Sequence, residues 1–253
     1  ISAASFNDTI PAKEVWRVSE DGELRDPFKK LTTVFQMSEE IFFLHYGKDG
    51  CNRHVLIDEC RELFGEIYEQ IPELPFCNIW TAMQLSSRLP KGALFHMGVS
   101  NTRRCWNMFQ LPESVESACN VGCCGIDGCV STLVGASLVN PDRLCYVVVG
   151  DLTFFYDLNS LGNHHIGTNL RVMLVNNGRG TEFRLGIHHC NVFGDDADKY
   201  MAAAGHFGNK SPLLVKHYAE DLGFHYLSAT TKEEFMTALS NFTNPQLSDH
   251  SMI

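Results

Sequence analysis

Two apolar runs, Leu144–Val149 and Leu170–Val175, each stop abruptly at a glycine and a bare polar side chain. The first ends in Gly150-Asp151 and the second in Asn176-Asn177-Gly178. Short unbroken runs of this kind suit strands buried on both faces of a sheet. Further strands are predicted at Ala93–Met97, Ser117–Cys119 and Phe224–Ser228. Between and around them, apolar spacing predicts helices over Thr102–Phe109, Asp127–Leu138, Leu152–Leu161, Ser211–Leu222 and Lys232–Phe242. Strand–helix alternation of this sort defines an α/β fold: an open, mostly parallel sheet with helices on both faces.

Upstream, His54–Ile71 places Leu56, Ile57, Cys60, Leu63, Phe64 and Ile67 at steps of three and four, the mark of an amphipathic helix, and Ile79–Leu89 fits a second helix. Residues 1–50 hold one short strand signal at Glu14–Val18, a turn at Glu20-Asp21-Gly22 and an apolar stretch near Ile41–His45. That is too little for a domain, so 1–50 is expected to be the tail of a preceding domain plus a linker at Lys48-Asp49-Gly50, with the main domain spanning 51–253. His250–Ile253 reads as the start of one more strand, and a longer polypeptide is therefore expected.

With 44% hydrophobic residues over 253 positions, the chain can bury a sizeable core. Its formal net charge of -10 argues against nucleic acid as a partner, because neutralising phosphates requires clustered Lys and Arg. No run is long and apolar enough to span a membrane, and ISAASFNDTIPAKE is not a signal peptide, so a cytoplasmic protein is expected. Ten cysteines include a cluster in CNVGCCGIDGC at positions 119–129. The cluster lacks the paired spacing of a zinc site and reads as reduced thiols around a glycine turn.

One strand–helix–strand step in a parallel sheet returns the chain to the same edge, so Asp151 and Asn177, 26 positions apart, are expected side by side at the carboxyl edge. Gly150 permits a tight turn, and the helix starting near Leu152 aims free N–H groups at the same spot. A carboxylate, an amide oxygen and a backbone carbonyl form a hard-oxygen set suited to Mg²⁺ or Ca²⁺, whose remaining positions go to phosphate and water. Helix capping by Asp151, or a simple turn at Asn177-Gly178, accounts for either feature alone. The two together point to a metal-bridged diphosphate. No P-loop motif is present, and GCCGIDG lacks dinucleotide-fingerprint spacing.

Gly150-Asp151-Leu152 followed by Asn176-Asn177 resembles the motif of thiamine-diphosphate-dependent enzymes. GDLTFFYDLNSL, CGIDGCVST and Gly98-Val99-Ser100…Arg104 resemble in particular the branch of the 2-succinyl-5-enolpyruvyl-6-hydroxy-3-cyclohexene-1-carboxylate synthases, which make a menaquinone precursor. The resemblance covers roughly residues 50–245 and is most specific over 98–183. It implies the thiamine-diphosphate-binding fold, with thiamine diphosphate and Mg²⁺ as cofactors. The metal would be held by Asp151, Asn177 and the Arg179 carbonyl. Ile126, beside Gly125, would wedge the cofactor into a bent shape. Gly98, Gly150, Leu152, Thr153, Gly180 and Thr181 would surround the cofactor, with the Leu152 and Thr153 N–H groups on the diphosphate. Ser100 and Arg104, one helical turn apart, would face the substrate, Arg104 pairing with a carboxylate.

The chemistry so implied is decarboxylation of a 2-oxo acid, followed by addition to an acceptor or protonation. Val121 stands where the family carries an arginine, which favours a substrate other than the menaquinone one. The glutamate that activates the cofactor belongs to the family's pyrimidine-binding domain and is outside this chain. It is expected from the same polypeptide or another subunit, in a homodimer or homotetramer. A separate cofactor-binding subunit and a non-catalytic binding module are the alternatives. Residues 184–209, following the metal loop, are expected to form either a lid bearing His188 and His189 as proton carriers or a plain surface excursion.

Overall fold

A computed structural model describes residues 13–47, 55–122, 124–186, 188–201, 211, 213–246 and 249–253. The expected linker Lys48-Asp49-Gly50, Cys123, and residues 187 and 202–209 of the expected lid lie outside these. The chain divides into two units, Ile1–Ile71 and Pro72–Ile253.

In the first unit, β1 (Val15–Val18) pairs in parallel with β2 (Leu31–Phe35), followed by α1 (Glu39–Tyr46) and α2 (Val55–Glu69). The apolar stretch at Ile41–His45 is helical because Ser38 caps it, its hydroxyl accepting from the Ile41 N–H at 3.3 Å. Trp16, Phe35, Phe42 and Tyr46 stack as an aromatic cluster with centroid separations of 4.9–6.4 Å. The sequence reading has no strand at β2, where Thr32-Thr33 interrupts the apolar pattern. The amphipathic period of α2 is real, yet Leu63, Phe64 and Ile67 are each more than half exposed.

The second unit is built on a parallel sheet of β3 (Leu94–Met97), β4 (Glu116–Cys119), β5 (Cys145–Gly150) and β6 (Leu170–Val175), in the order β4-β3-β5-β6. Central β5 is buried on both faces. Cys145, Val147 and Val149 pack with α5 (Cys129–Val139), α6 (Asp151–Asp157) and α8 (Leu214–Asp221) on one side. Tyr146 and Val148 pack with α3 (Asn78–Ser86), α4 (Asn101–Trp106) and α9 (Lys232–Phe242) on the other. That two-sided burial is why the run carries no polar alternation. α7 (Ala197–Tyr200) is a single short turn. The predicted strand at Phe224–Ser228 is reduced to an isolated bridge, His225 to Met252, while Met252 also bridges Arg171 of β6. Among the described residues, no helix is long and apolar enough to cross a membrane.

Polar side chains fasten the connections. Asp157 accepts from the Ser131 N–H at 2.7 Å, tying the end of α6 to the start of α5. The Asn169 amide donates to the carbonyls of Ser137, Asn140 and Arg143 at 3.0–3.2 Å. Arg171 is fully buried, and its guanidinium donates to the Thr168, Leu170 and His250 carbonyls. Burial pulls its pKa downward.

His96 of β3 is 4% exposed, and burial holds its imidazole below the ordinary value of 6.5, against a smaller opposing effect of Asn120. The folded protein keeps this group neutral while the unfolded chain takes up a proton as pH falls through 6.5. Stability is therefore complete above that value and declines below it. Urea unfolding at pH 7 and pH 5 should show a smaller pH-dependent loss for His96→Asn than for the wild type. Identical losses in the two proteins would remove this residue from the account.

Candidate functional site

The chain leaves β3 outward to β4 and returns past β3 to β5, so the direction of winding reverses between β3 and β5. Open α/β sheets bind ligands outside the carboxyl ends of strands at such a reversal. The register sets Met97 beside Val148 and Gly150 beside Val175, which brings the carboxyl ends of β3, β5 and β6 to one edge. A cleft of about 350 Å³ opens there.

Asp151 is 2% exposed at the start of α6, and its carboxylate joins the two strand ends. One oxygen accepts from the Leu152 N–H at 2.8 Å, the other from the Gly178 N–H at 2.5 Å. Gly178 holds this position at φ 80°, a left-handed backbone that side-chain-bearing residues adopt only with strain. Asn177 is exposed beside it, its side-chain oxygen accepting from the Arg179 N–H at 3.3 Å.

The cleft is lined by Ser100, Arg104, Ile126, Gly150, Asp151, Leu152, Thr153, Asn177, Arg179, Gly180 and Thr181. Eleven of the thirteen residues singled out from sequence thus meet on one surface. Gly98 and Gly125 are not among them. A Cβ at Gly98 would lie 3.2 Å from the Val148 carbonyl, so this glycine serves the close packing of β3 on β5. A Cβ at Gly125 would meet the Asp127 carboxylate at 2.7 Å, a constraint of the turn itself. The Leu152 N–H, expected to be open to a phosphate, here donates to Asp151.

On the opposite wall, Ser100 sits at φ 65° and ψ -128° at the start of α4, an uncommon backbone for a non-glycine residue. Its hydroxyl donates to the Glu182 carboxylate. Arg104 forms a two-pronged ion pair with the same carboxylate, and the Asn101 amide donates to Thr181. Arg104 and, secondarily, Ser100 hold the Glu182 carboxyl below the usual carboxylate range. Glu182 escapes sequence reasoning because it is 78 residues from Arg104, and only the fold brings them together. Asn101, Arg103, Cys124 and Phe183 also line the cleft and went unmarked. Lining charges of Arg103, Arg104 and Arg179 against Asp151 and Glu182 leave the surface net positive, before any metal is counted.

His188 and His189 do not line the cleft. The His188 ring nitrogen Nδ1 accepts from the Cys190 N–H at 3.1 Å, capping the 3₁₀ helix His189–Asp196. In the cysteine-rich loop, Cys119, Cys124 and Cys129 are free thiols. Among the described residues, no group of three or more His, Cys, Asp or Glu side chains is arranged to hold a metal.

No family model matches the chain. The 2-succinyl-5-enolpyruvyl-6-hydroxy-3-cyclohexene-1-carboxylate synthase of Bacteroides fragilis is 34% identical over 243 residues, covering 94% of this chain and 41% of that protein. The synthase of the same name from Bacteroides thetaiotaomicron is 32% identical over 245 residues, covering 96% and 42%. Over nearly its whole length the chain is therefore related to proteins of that name. It spans about two fifths of the length of these relatives. The solved Rhodococcus jostii RHA1 thiamine diphosphate-dependent 4-hydroxybenzoylformate decarboxylase matches with a TM-score of 0.52 at 16% identity, over 72% of this chain and 32% of that one. At that identity the likeness speaks for the fold.

Replacing Gly178 by Ala should cost about 1–2 kcal/mol, because the left-handed backbone that donates to Asp151 is strained for any residue with a Cβ. Equilibrium urea unfolding reads this directly. An unchanged midpoint would mean that the loop relaxes at no cost.

Proposed function

We propose that this chain is the diphosphate- and Mg²⁺-binding part of a thiamine-diphosphate-dependent 2-oxo-acid decarboxylase or carboligase. The observation that carries the reading is the Asp151–Gly178 bond, which sets a buried carboxylate and the Asn177-Gly178-Arg179 loop together in a net-positive cleft. The donor set fits a hard cation: the Asp151 carboxylate, the Asn177 side-chain oxygen and the Arg179 carbonyl are all oxygens. Thr153 and Gly180 backbone groups and the Thr181 hydroxyl suit the diphosphate, and half-buried Ile126 offers an apolar surface beneath the rest of the cofactor.

Thiamine diphosphate, when bound, supplies carbanion stabilisation at the reacting carbon of a 2-oxo acid. The protein's own part is orientation and charge. Arg104 meets a substrate carboxylate, Ser100 is a hydrogen-bonding neighbour on the same wall, and the apolar strand ends beneath exclude water. Val121, exposed and not among the residues lining the cleft, stands where the synthase motif has an arginine, and the loss of that charge supports a different 2-oxo acid or acceptor. The activating glutamate is assigned to a pyrimidine-binding domain of the same polypeptide or of a second subunit, in a homodimer or homotetramer.

Calorimetric titration of the full-length protein with thiamine diphosphate and Mg²⁺ should show saturable binding that Asp151→Ala weakens by about 100-fold or more, since one charged metal ligand is lost. Carbon dioxide release from a panel of 2-oxo acids then reports the substrate. Absence of binding by the assembled wild-type protein would overturn the reading.

A further inference from the structure

Arg104 has five N–H donors, and the protein engages them unevenly. Nη1 and Nη2 grip the two oxygens of Glu182 end-on, the Nη2 contact measuring 2.9 Å. Nη1 also donates to the Asn101 side-chain oxygen at 3.1 Å and lies 3.4 Å from the Ser100 hydroxyl. Among the described residues, those contacts involve only the Nη1–Nη2 end and the Nη1 side. The Nε–H and the outer Nη2–H, which share the other edge of the planar group, remain as a second two-pronged donor.

From this arrangement we infer that Glu182 is a positioning residue: it clamps one edge of Arg104 so that the opposite edge forms a fixed bidentate receptor for a substrate carboxylate. The inference rests on the thiamine-diphosphate reading of the cleft and adds a residue to it. A free arginine side chain has several rotatable bonds to immobilise on binding, and a clamped one has already lost that freedom. Glu182 also accepts from Ser100, so a single carboxylate sets both residues of the substrate wall. It belongs to the short helix Thr181–Arg184 directly after the Asn177 loop, which links the substrate wall to the metal wall through a few residues.

The test is steady-state kinetics of the full-length enzyme, loaded with thiamine diphosphate and Mg²⁺, on whichever of pyruvate and 2-oxoglutarate it turns over faster. Glu182→Ala should raise KM by about tenfold or more while kcat changes by less than about threefold, as for a lost orienting contact. Affinity for thiamine diphosphate should be unchanged. In an Arg104→Ala background the same change should have a much smaller effect on KM, because only the Ser100 contact of Glu182 is then left to lose. Glu182→Gln keeps the size and one acceptor, should give an intermediate KM, and carries the test if the alanine variant does not fold. A fall in KM would mean that Glu182 competes with the substrate for Arg104, and an unchanged KM would leave it no role; either overturns the inference. Wild-type enzyme that binds no thiamine diphosphate would instead overturn the reading beneath it.

Discussion

The hydrogen bond from the Gly178 N–H to the Asp151 carboxylate, 2.5 Å long, is the contact on which the site depends. It joins the carboxyl ends of two neighbouring parallel strands whose register already sets Gly150 beside Val175. A buried carboxylate is costly unless it is hydrogen-bonded, and here backbone N–H groups from both strand ends meet it. The loop of Asn177 and Arg179 is thereby held against α6 rather than left to wander. Everything assigned to metal and diphosphate follows from that fixed separation.

The sheet beneath supplies the rigidity. Because β5 is covered on both faces, with Val147, Val148 and Val149 fully buried, the strand cannot slip without exposing apolar surface. The winding reverses between β3 and β5, so the cleft opens where no crossover helix covers the strand ends. The wall made by α4 then faces the loops after β5 and β6, and Arg104, Ser100 and Glu182 close the gap between them.

Much of this was legible from sequence, for reasons that can be named. Leu170–Val175 and Lys232–Phe242 are predicted with the bounds they have in the structure, since one is an unbroken buried run and the other is opened by a Thr231–Glu234 capping box. Asp151 and Asn177 stand out because capping or turn formation accounts for either alone but not for both at consecutive strand ends. The Phe224–Ser228 segment was over-read: it is apolar enough for a strand but makes only one bridge. The strand at Leu31–Phe35 was missed because its two threonines break the pattern. Glu182 was invisible, since nothing local distinguishes it from any surface glutamate. Pairings between residues 78 positions apart are properties of the fold, and no periodicity reports them.

The central claim is that Asp151, Asn177 and the Arg179 carbonyl form one cation site. Its most direct test is a crystal structure of the full-length protein with thiamine diphosphate and Mn²⁺ in place of Mg²⁺, read by anomalous scattering. The account predicts a single Mn²⁺ peak within coordination distance, about 2.0–2.4 Å, of those three oxygens and of the diphosphate. Bound thiamine diphosphate with no peak there, or with Mn²⁺ held by other residues, would contradict it.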